Sequence, residues 1–478
     1  MAGSSRVDNA PNQIARDAKH QWDRLCRRYL PVSHRSSIWR FSRRHKRGDP
    51  TQGWKLHVSA TILSACDICR SIAPYLKTQR VLFKAPRSLR ELEKLNTGVD
   101  YGFSQVGKFV TVFPPSTEAA LKIARDLHRL TTKYRGPVIP YDKPFRNSSC
   151  VYYRYGSFAK SSVVVRGEKL AAIVGPHGRR IPDRRGPGSA VPPWLTDPFG
   201  APRPRKRSIT SLERDYRDFE ALSQRGRGGV YRAVRISTRP KKSCIIKEGR
   251  RHGETDLLGR DGFNKIEREA RFLTVNAGKV AGLPRVIARL RADNCFYLVV
   301  EDVTGRSLQS ILASRKKISR RMLLIYCANM AQIVAEIHAA GWAWHDCKPE
   351  HFLCQAGGKL RPLDFEAACF IRKPDLCPSG TPGYFVPESK KRRPDPERAD
   401  LYALGISLAQ LLTRTPSPVR TAARFGGRTK IRGMPQHLIE TIRSLLSAQP
   451  DRRPSARTVY QILQKLLRPD LTKSVKQV

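Results

Sequence analysis

The sequence predicts an α+β fold arranged as two successive domains, and three observations predict it. At 478 residues the chain is longer than a single hydrophobic core ordinarily serves. A stretch packed with Pro, Gly and Arg, residues 176–209, separates two globular-looking regions in the way a linker does. Beyond it, short apolar runs such as residues 295–300 (CFYLVV) come first and helical patterns come after, as in a domain whose strands precede its helices.

Taken in order, residues 1–49 are polar and basic and read as an extension that need not fold. Residues 50–175 look globular, 176–209 form the linker, 210–468 the second domain and 469–478 a tail. Within the second domain, Leu323, Leu324, Cys327, Met330, Ile333, Val334 and Ile337 recur at i, i+3, i+4 spacing. That spacing predicts an amphipathic helix over 320–340, ended by Gly341. No internal repeat is evident.

With 40% hydrophobic residues the chain can bury a sizeable core. Its 11 cysteines are odd in number and scattered, and the amino terminus lacks the apolar run of a signal peptide, so a reducing, cytoplasmic setting is expected. No window of 18 or more apolar residues stands out, so no membrane span is expected. The formal net charge is +50, with basic clusters at Arg40, Arg43, Arg44, Lys46 and Arg47 and at Arg203, Arg205, Lys206 and Arg207. Such a field attracts nucleic acid, anionic membranes, acidic peptides and phosphorylated substrates alike, and a generally basic composition would produce it with no partner at all.

The most informative string runs from 342 to 353 (WAWHDCKPEHFL), with LDFE after it at 363–366. It resembles the catalytic loop and metal-binding triplet of protein kinases. The resemblance makes Asp346 the base that accepts the substrate hydroxyl proton, Lys348 a neutraliser of charge on the transferring phosphoryl group, and Asp364 the holder of magnesium. Phosphoryl transfer asks for these residue types because it is mostly positioning and charge neutralisation: one carboxylate steers a hydroxyl, another binds a hard cation through oxygen. Supporting pieces occur in the order a kinase needs. The turn 225–231 (RGRGGVY) offers Gly226, Gly228 and Gly229 to nucleotide phosphates, and Lys247 in Ile245-Ile246-Lys247 matches the phosphate-binding strand lysine. Glu269 is its expected ion-pair partner, with Glu267 as the rival. GTPGYFVPE at 380–388 is similar to the end of an activation segment, DLYALG at 400–405 to the helix that anchors the catalytic loop, and Arg453 is placed to pair with Glu388.

Three departures qualify the match. Trp344-His345 replaces the His-Arg before the catalytic Asp, so no arginine there can grip a phosphorylated loop. His351 stands where an asparagine holds the second metal; an imidazole suits magnesium less well, which implies one metal or tolerance of manganese. It also brings in a resemblance to the lipopolysaccharide core heptose kinases. Glu366 replaces the glycine of the triplet, which should restrain its flip.

The variant DFEAA (364–368) with the GTPG stretch is similar to the kinase domain of class III and IV lanthipeptide synthetases. WKLHVSA (54–60), GKFVTV (107–112), GPVIPYD (136–142), YYRYGSF (152–158) and KEGRRHG (247–253) extend that resemblance over about residues 50–460. It implies a phosphothreonine-lyase-like domain ahead of a bilobal protein-kinase-like one. On a strand, Lys55 and His57 face the same side and can act on one substrate. Elimination of phosphate from phosphoserine or phosphothreonine needs a base for the α-proton and an acid for the departing phosphate. Lys55 fits the base, if its pKa is lowered, and His57 the acid. The resemblance places Lys84, Lys108 and Arg154 as phosphate holders, with Tyr141 and Asp142 as weaker candidates for peptide contacts.

The expected activity is ATP- or GTP-dependent phosphorylation of Ser or Thr in a ribosomally made precursor peptide, then phosphate elimination, with Mg2+ (or Mn2+) as cofactor. An acidic leader on that peptide would suit the basic surface. The sequence shows no cyclase region, so dehydration without ring closure is expected, with cyclisation by a separate cyclase and a final product that keeps its dehydroamino acids both open. The CxxC of Cys66 and Cys69 reads as packing cysteines, and no zinc is expected. The competing readings are a carbohydrate or lipopolysaccharide-type kinase, for which Lys55 and His57 would be dispensable, and a degraded synthetase that only binds, with nucleic acid a candidate partner.

Overall fold

The computed structural model describes residues 10–158, 161–200, 211–314, 317–375, 380–390, 394–425, 431 and 433–468. The basic cluster Arg203, Arg205, Lys206 and Arg207 and the tail 469–478 lie outside the described residues. The chain divides into two compact units. The first takes the residues through Lys242 together with Ile246–Asn264 and Leu290–Tyr297, and the second takes Ser243–Ile245, Lys265–Arg289 and everything from Leu298 onward.

In the first unit, seven strands form an antiparallel sheet: β1 (Val32–Ser33), β2 (Trp39–Phe41), β3 (Gln52–Val58), β4 (Leu82–Pro86), β5 (Val110–Phe113), β6 (Lys143–Pro144) and β7 (Val151–Ser157). Their order is β1-β2-β4-β5-β3-β7-β6, so β3 is an interior strand and pairs with β5 and β7. Helices Ala65–Thr78 and Thr117–Thr131 bury Ile68, Ile72, Leu76, Ile123 and Leu127 in the same core as Leu56, Val58, Val112 and Tyr153 of the sheet. Serine caps start two of this region's helices: the Ser88 and Ser116 side chains accept the N–H groups of Glu91 and Ala119.

Two segments differ from what composition suggested. In the region read as a basic extension, Ala10–Tyr29 is a helix. Trp22, Cys26 and Leu30, four residues apart, share one face and are buried in the domain core, with Trp22 packed 5.4 Å from the Phe109 ring. In the region read as a linker, β10 (Arg180–Pro182) adds to β8 (Ser162–Val165) and β9 (Glu168–Val174) of the preceding region in a three-stranded sheet, so folded structure continues past the expected boundary. Phe199 stacks on Tyr153 at 4.1 Å and belongs to the core. A Pro/Gly/Arg-rich composition here encloses a few deeply buried side chains, which averaging over the stretch conceals.

The first unit also holds residues of all five strands of a second sheet: β11 (Tyr216–Arg225), β12 (Gly228–Arg235), β13 (Lys242–Arg250), β14 (Val286–Ala292) and β15 (Cys295–Glu301), in the order β11-β12-β13-β15-β14.

The second unit is mainly helical. Helix Arg320–Ala339 starts where the Ser319 side chain accepts the Met322 N–H, and the chain turns away at Gly341 with φ +81°. Among the described residues it alone is long and apolar enough to cross a membrane, yet Leu323, Leu324, Met330, Val334 and Ile337 are buried against helices Pro396–Thr413 and Ala456–Leu467.

Candidate active sites

The first site is built on β3. Lys55 lies directly opposite Arg154 of β7, and His57 opposite Tyr152 of β7 and Thr111 of β5. Thr111 in turn lies opposite Lys84 of β4. Directly opposed residues share a face of a sheet, so Lys55, His57, Lys84 and Arg154 all point to one side. Lys108, just before β5, brings its Nζ to 3.7 Å from a carboxylate oxygen of Asp142.

Two buried carboxylates organise these bases. The other oxygen of Asp142 lies 2.6 Å from His57 Nδ1, and the Arg154 Nε is 3.8 Å from the first. Arg154 also donates to Asp183 Oδ1 at 2.8 Å and to the Arg184 carbonyl at 3.0 Å. Asp183 Oδ2 accepts the Ser157 N–H at 3.1 Å. Burial raises the Asp142 carboxyl, but His57, Lys108 and Arg154 more than offset this and hold it below the usual range.

Burial and like charge act together on the bases. The Lys55 amine falls to about 7, chiefly through burial; Asp183 opposes the shift, while Arg154, Arg185 and Lys84 add to it. Lys84 falls to about 8 through burial and the charges of Arg185 and Lys108, with its ammonium 4.2 Å from the centre of the Trp39 ring. Lys108 also falls to about 8, by burial first and then Arg185 and Arg154, against the pull of Asp142. His57 drops to about 3: burial outweighs Asp142, and Lys108 and Lys55 reinforce the drop. The free imidazole is therefore neutral at pH 7, with its Nδ1 proton directed at Asp142. The set of Lys55, Lys84, Lys108, Arg154 and Arg185 outnumbers Asp142 and Asp183, an excess of positive charge that suits a phosphate dianion.

Sequence reasoning selected Lys55, His57, Lys84, Lys108 and Arg154, and all five meet here. It gave Asp142 only a peptide-contact role and passed over Asp183 and Arg185. Asp142 is 85 positions from His57, and nothing in residue spacing signals their pairing. Tyr141 takes φ +66° and sets its ring against Phe103 at 6.1 Å.

The Gly-rich turn of the first unit joins β11 to β12. Gly228 has φ +153°, and a Cβ there would lie 1.7 Å from the Glu248 carbonyl oxygen, so only glycine fits. Gly229 sits against Tyr231, where a Cβ would come within 2.5 Å of the phenol oxygen. The Gly226 N–H donates to the Thr97 carbonyl at 3.0 Å, and a Cβ on it would be 1.7 Å from the Asn96 carbonyl oxygen. That N–H is thus committed to the end of the Leu89–Thr97 helix and is not directed to a nucleotide. Lys247 is carried by β13.

The second site lies in the second unit. Asp400, fully buried, accepts the backbone N–H groups of Trp344 at 2.6 Å and His345 at 2.7 Å and so fixes the loop beyond them. The Ser407 hydroxyl, from the same Pro396–Thr413 helix, donates to the Cys347 carbonyl at 3.1 Å. On this support Asp346 and Lys348 converge on one hydroxyl. Thr381 Oγ1 donates to Asp346 Oδ1 at 2.7 Å and accepts from Lys348 Nζ at 2.7 Å, with Lys348 3.3 Å from the other Asp346 oxygen. A carboxylate and an ammonium bracketing a threonine hydroxyl is the arrangement a Ser/Thr acceptor requires. Thr381 was not singled out in the sequence.

His351 bridges the two aspartates. Its Nδ1 donates to the Asp346 carbonyl at 3.0 Å, and its Nε2 lies 3.7 Å from Asp364 Oδ2. Asp364 takes φ +66°, a conformation rare outside glycine, held by the Trp344 indole N–H donating to its carbonyl at 2.7 Å. The Phe365 ring stacks between Trp344 at 4.9 Å and Phe272 at 4.3 Å, and Glu269 accepts the Phe365 N–H at 3.3 Å. No group of three metal-ligating side chains occurs among the described residues. Magnesium held beside phosphates needs only one or two carboxylates, and Asp364 is one such group, with His351 beside it. Arg453 and Glu388 form a buried two-point pair at 2.8 and 2.9 Å.

Comparison with known proteins accounts for both halves. Residues 26–209 match the family described as RamC, N-terminal domain, and residues 216–473 match the protein kinase domain. The probable SapB synthase of Streptomyces coelicolor is 29% identical over 374 residues, 75% of this chain and 40% of that protein. The serine/threonine-protein kinase PkaA of the same organism is 31% identical over 52% of this chain and 45% of its own length. The serine/threonine-protein kinase F of Synechocystis is 26% identical, over 52% and 54% respectively. The chain thus spans roughly two fifths to just over half the length of these relatives. With the kinase match covering more than half of its residues, the chain belongs to the protein kinase domain family, and with the RamC domain in front it has the domain pair of a class III/IV lanthipeptide synthetase.

Proposed function

We propose that this protein dehydrates Ser and Thr residues of a ribosomally made precursor peptide in two steps, phosphorylation and then elimination of the phosphate. The observation that carries the reading is the β3 face, where buried lysines held near neutral pH and an Asp-oriented histidine stand on the same side of one sheet. A kinase alone has no use for such a cluster. The likeness to a SapB synthase supports a peptide substrate.

When bound, ATP or GTP with Mg2+ or Mn2+ supplies the phosphoryl group. Gly228, Gly229, Lys247 and Glu269 are the residues proposed to serve the nucleotide, and Asp364 with His351 the cation. Asp346 receives the hydroxyl proton of the acceptor Ser or Thr in the position where it now receives that of Thr381. Lys348 offsets charge on the transferring phosphoryl group.

In the elimination, Lys84, Lys108 and Arg154 hold the phosphate and the neutral Lys55 amine removes the α-proton. The electrons of the Cα–H bond become the Cα=Cβ bond, the Cβ–O bond breaks, and phosphate departs with a proton from His57. His57 is neutral in the free site. The incoming dianion raises its proton affinity, and Asp142 stabilises the imidazolium that results. An acidic leader on the peptide would be drawn to a chain of net charge +50. The setting proposed is the cytoplasm.

The experiment is intact-mass analysis of a Ser/Thr-containing precursor peptide incubated with the protein, ATP and magnesium. The wild type should remove one water per modified residue, Lys55→Ala should accumulate phosphopeptide, and Asp346→Ala should leave the peptide unchanged. Phosphate addition that never proceeds to water loss would refute the elimination step.

A further inference from the structure

Kinases switched on by phosphorylation of the activation segment use the new phosphoryl group as an anion for arginines to grip, which orders the segment and positions the helix that carries the lysine-pairing glutamate. Here the position before the catalytic Asp is His345, whose ring Nε2 lies 3.2 Å from Cys369 Sγ and which brings no guanidinium to the segment. Within the second unit, Arg268 of helix Gly262–Val275 instead reaches 107 positions along the chain and donates to Asp375 Oδ2 at 2.7 Å. Asp375 lies between the Asp364 triplet and the 380–388 stretch, and its side chain is 2% exposed. The next residue of the helix, Glu269, accepts the Phe365 N–H, and Phe272, one turn further on, stacks on the Phe365 ring. Three points of one helix are therefore tied to the segment that begins at Asp364.

We infer that Asp375 is a built-in anion that does permanently what a phosphoryl group does in phosphorylation-switched kinases, with Arg268 and Asp375 forming a positioning pair for the triplet Asp364-Phe365-Glu366. The inference rests on the kinase reading of the second unit. Neither residue touches the acceptor or the nucleotide; both act by fixing the helix against the segment that carries Asp364. Asp375 is enclosed while Arg268 is partly exposed, so removing the guanidinium takes a positive charge away from a carboxylate in a poorly solvated place.

The test uses the full-length chain, a Ser/Thr peptide and ATP, and compares the wild type before and after phosphatase treatment with Arg268→Gln, Asp375→Asn and the charge-reversed Arg268→Asp/Asp375→Arg. Melting temperature is recorded for each. Phosphatase treatment should leave kcat for phosphate transfer unchanged. Each single substitution should lower kcat about tenfold or more with a much smaller change in KM for the peptide, and the reversed pair should recover at least half of the loss. Single variants that transfer phosphate at the wild-type rate would overturn the proposal. So would activity lost on phosphatase treatment, or a reversed pair that regains its melting temperature without regaining kcat. A wild-type chain that transfers no phosphate would bring down the kinase reading first and this inference with it.

Discussion

His57 and Asp142 meet at 2.6 Å on a face where Lys55 and Lys108 are also buried, and the carboxylate is what keeps the imidazole in one tautomer and able to take a second proton. Replacing Asp142 by Asn keeps the shape and removes the charge. Elimination from a phosphopeptide should then slow by about 100-fold or more, as when the orienting carboxylate of a histidine is lost, while phosphorylation of the unmodified peptide proceeds normally; time-resolved mass spectrometry of both reactions checks this. The lysines make a separate prediction. Lys55 falls from its ordinary 10.5 to about 7 in the fold, so between those values the unfolded chain binds more protons than the folded one, and stability must rise with pH across that window. Melting temperature should climb from pH 7 to 9, and climb less steeply in Lys55→Met. Parallel curves for the two proteins would contradict the buried-amine assignment.

At the scale of elements, the legible features were those with a local period. The 3.6-residue pattern of 320–340 matches helix Arg320–Ala339, and the two-residue period of a strand put Lys55 and His57 on one side before any pairing was known. The illegible ones depend on a few side chains or on distant partners. The Ala10–Tyr29 helix is so rich in charged and polar residues that its single apolar line of Trp22 and Cys26, continued by Leu30, is diluted in any average. Asp183 and Arg185 fall in a stretch whose composition reads as linker, and Thr381 reaches Asp346 only through the tertiary fold. The helix is a structural part of the first unit, so Trp22→Ala, at a side chain 1% exposed, should cost about 3–5 kcal/mol in urea denaturation. A change below about 0.5 kcal/mol would mean the helix is an appendage.

For the whole molecule, the division of labour is chemical. The first unit holds the Lys55–His57 cluster and the second holds Asp346, so the proposed function assigns its two steps to different units. Kinase chemistry is expected from the family, whereas elimination is the claim that most needs its own test. The direct measurement is to give the Asp346→Ala chain a synthetic phosphoserine peptide without any nucleotide and track intact mass. The proposed function predicts loss of one phosphoric acid per phosphoserine, abolished when Lys55→Ala is added. A phosphopeptide left intact by both the Asp346→Ala chain and the wild type would contradict it.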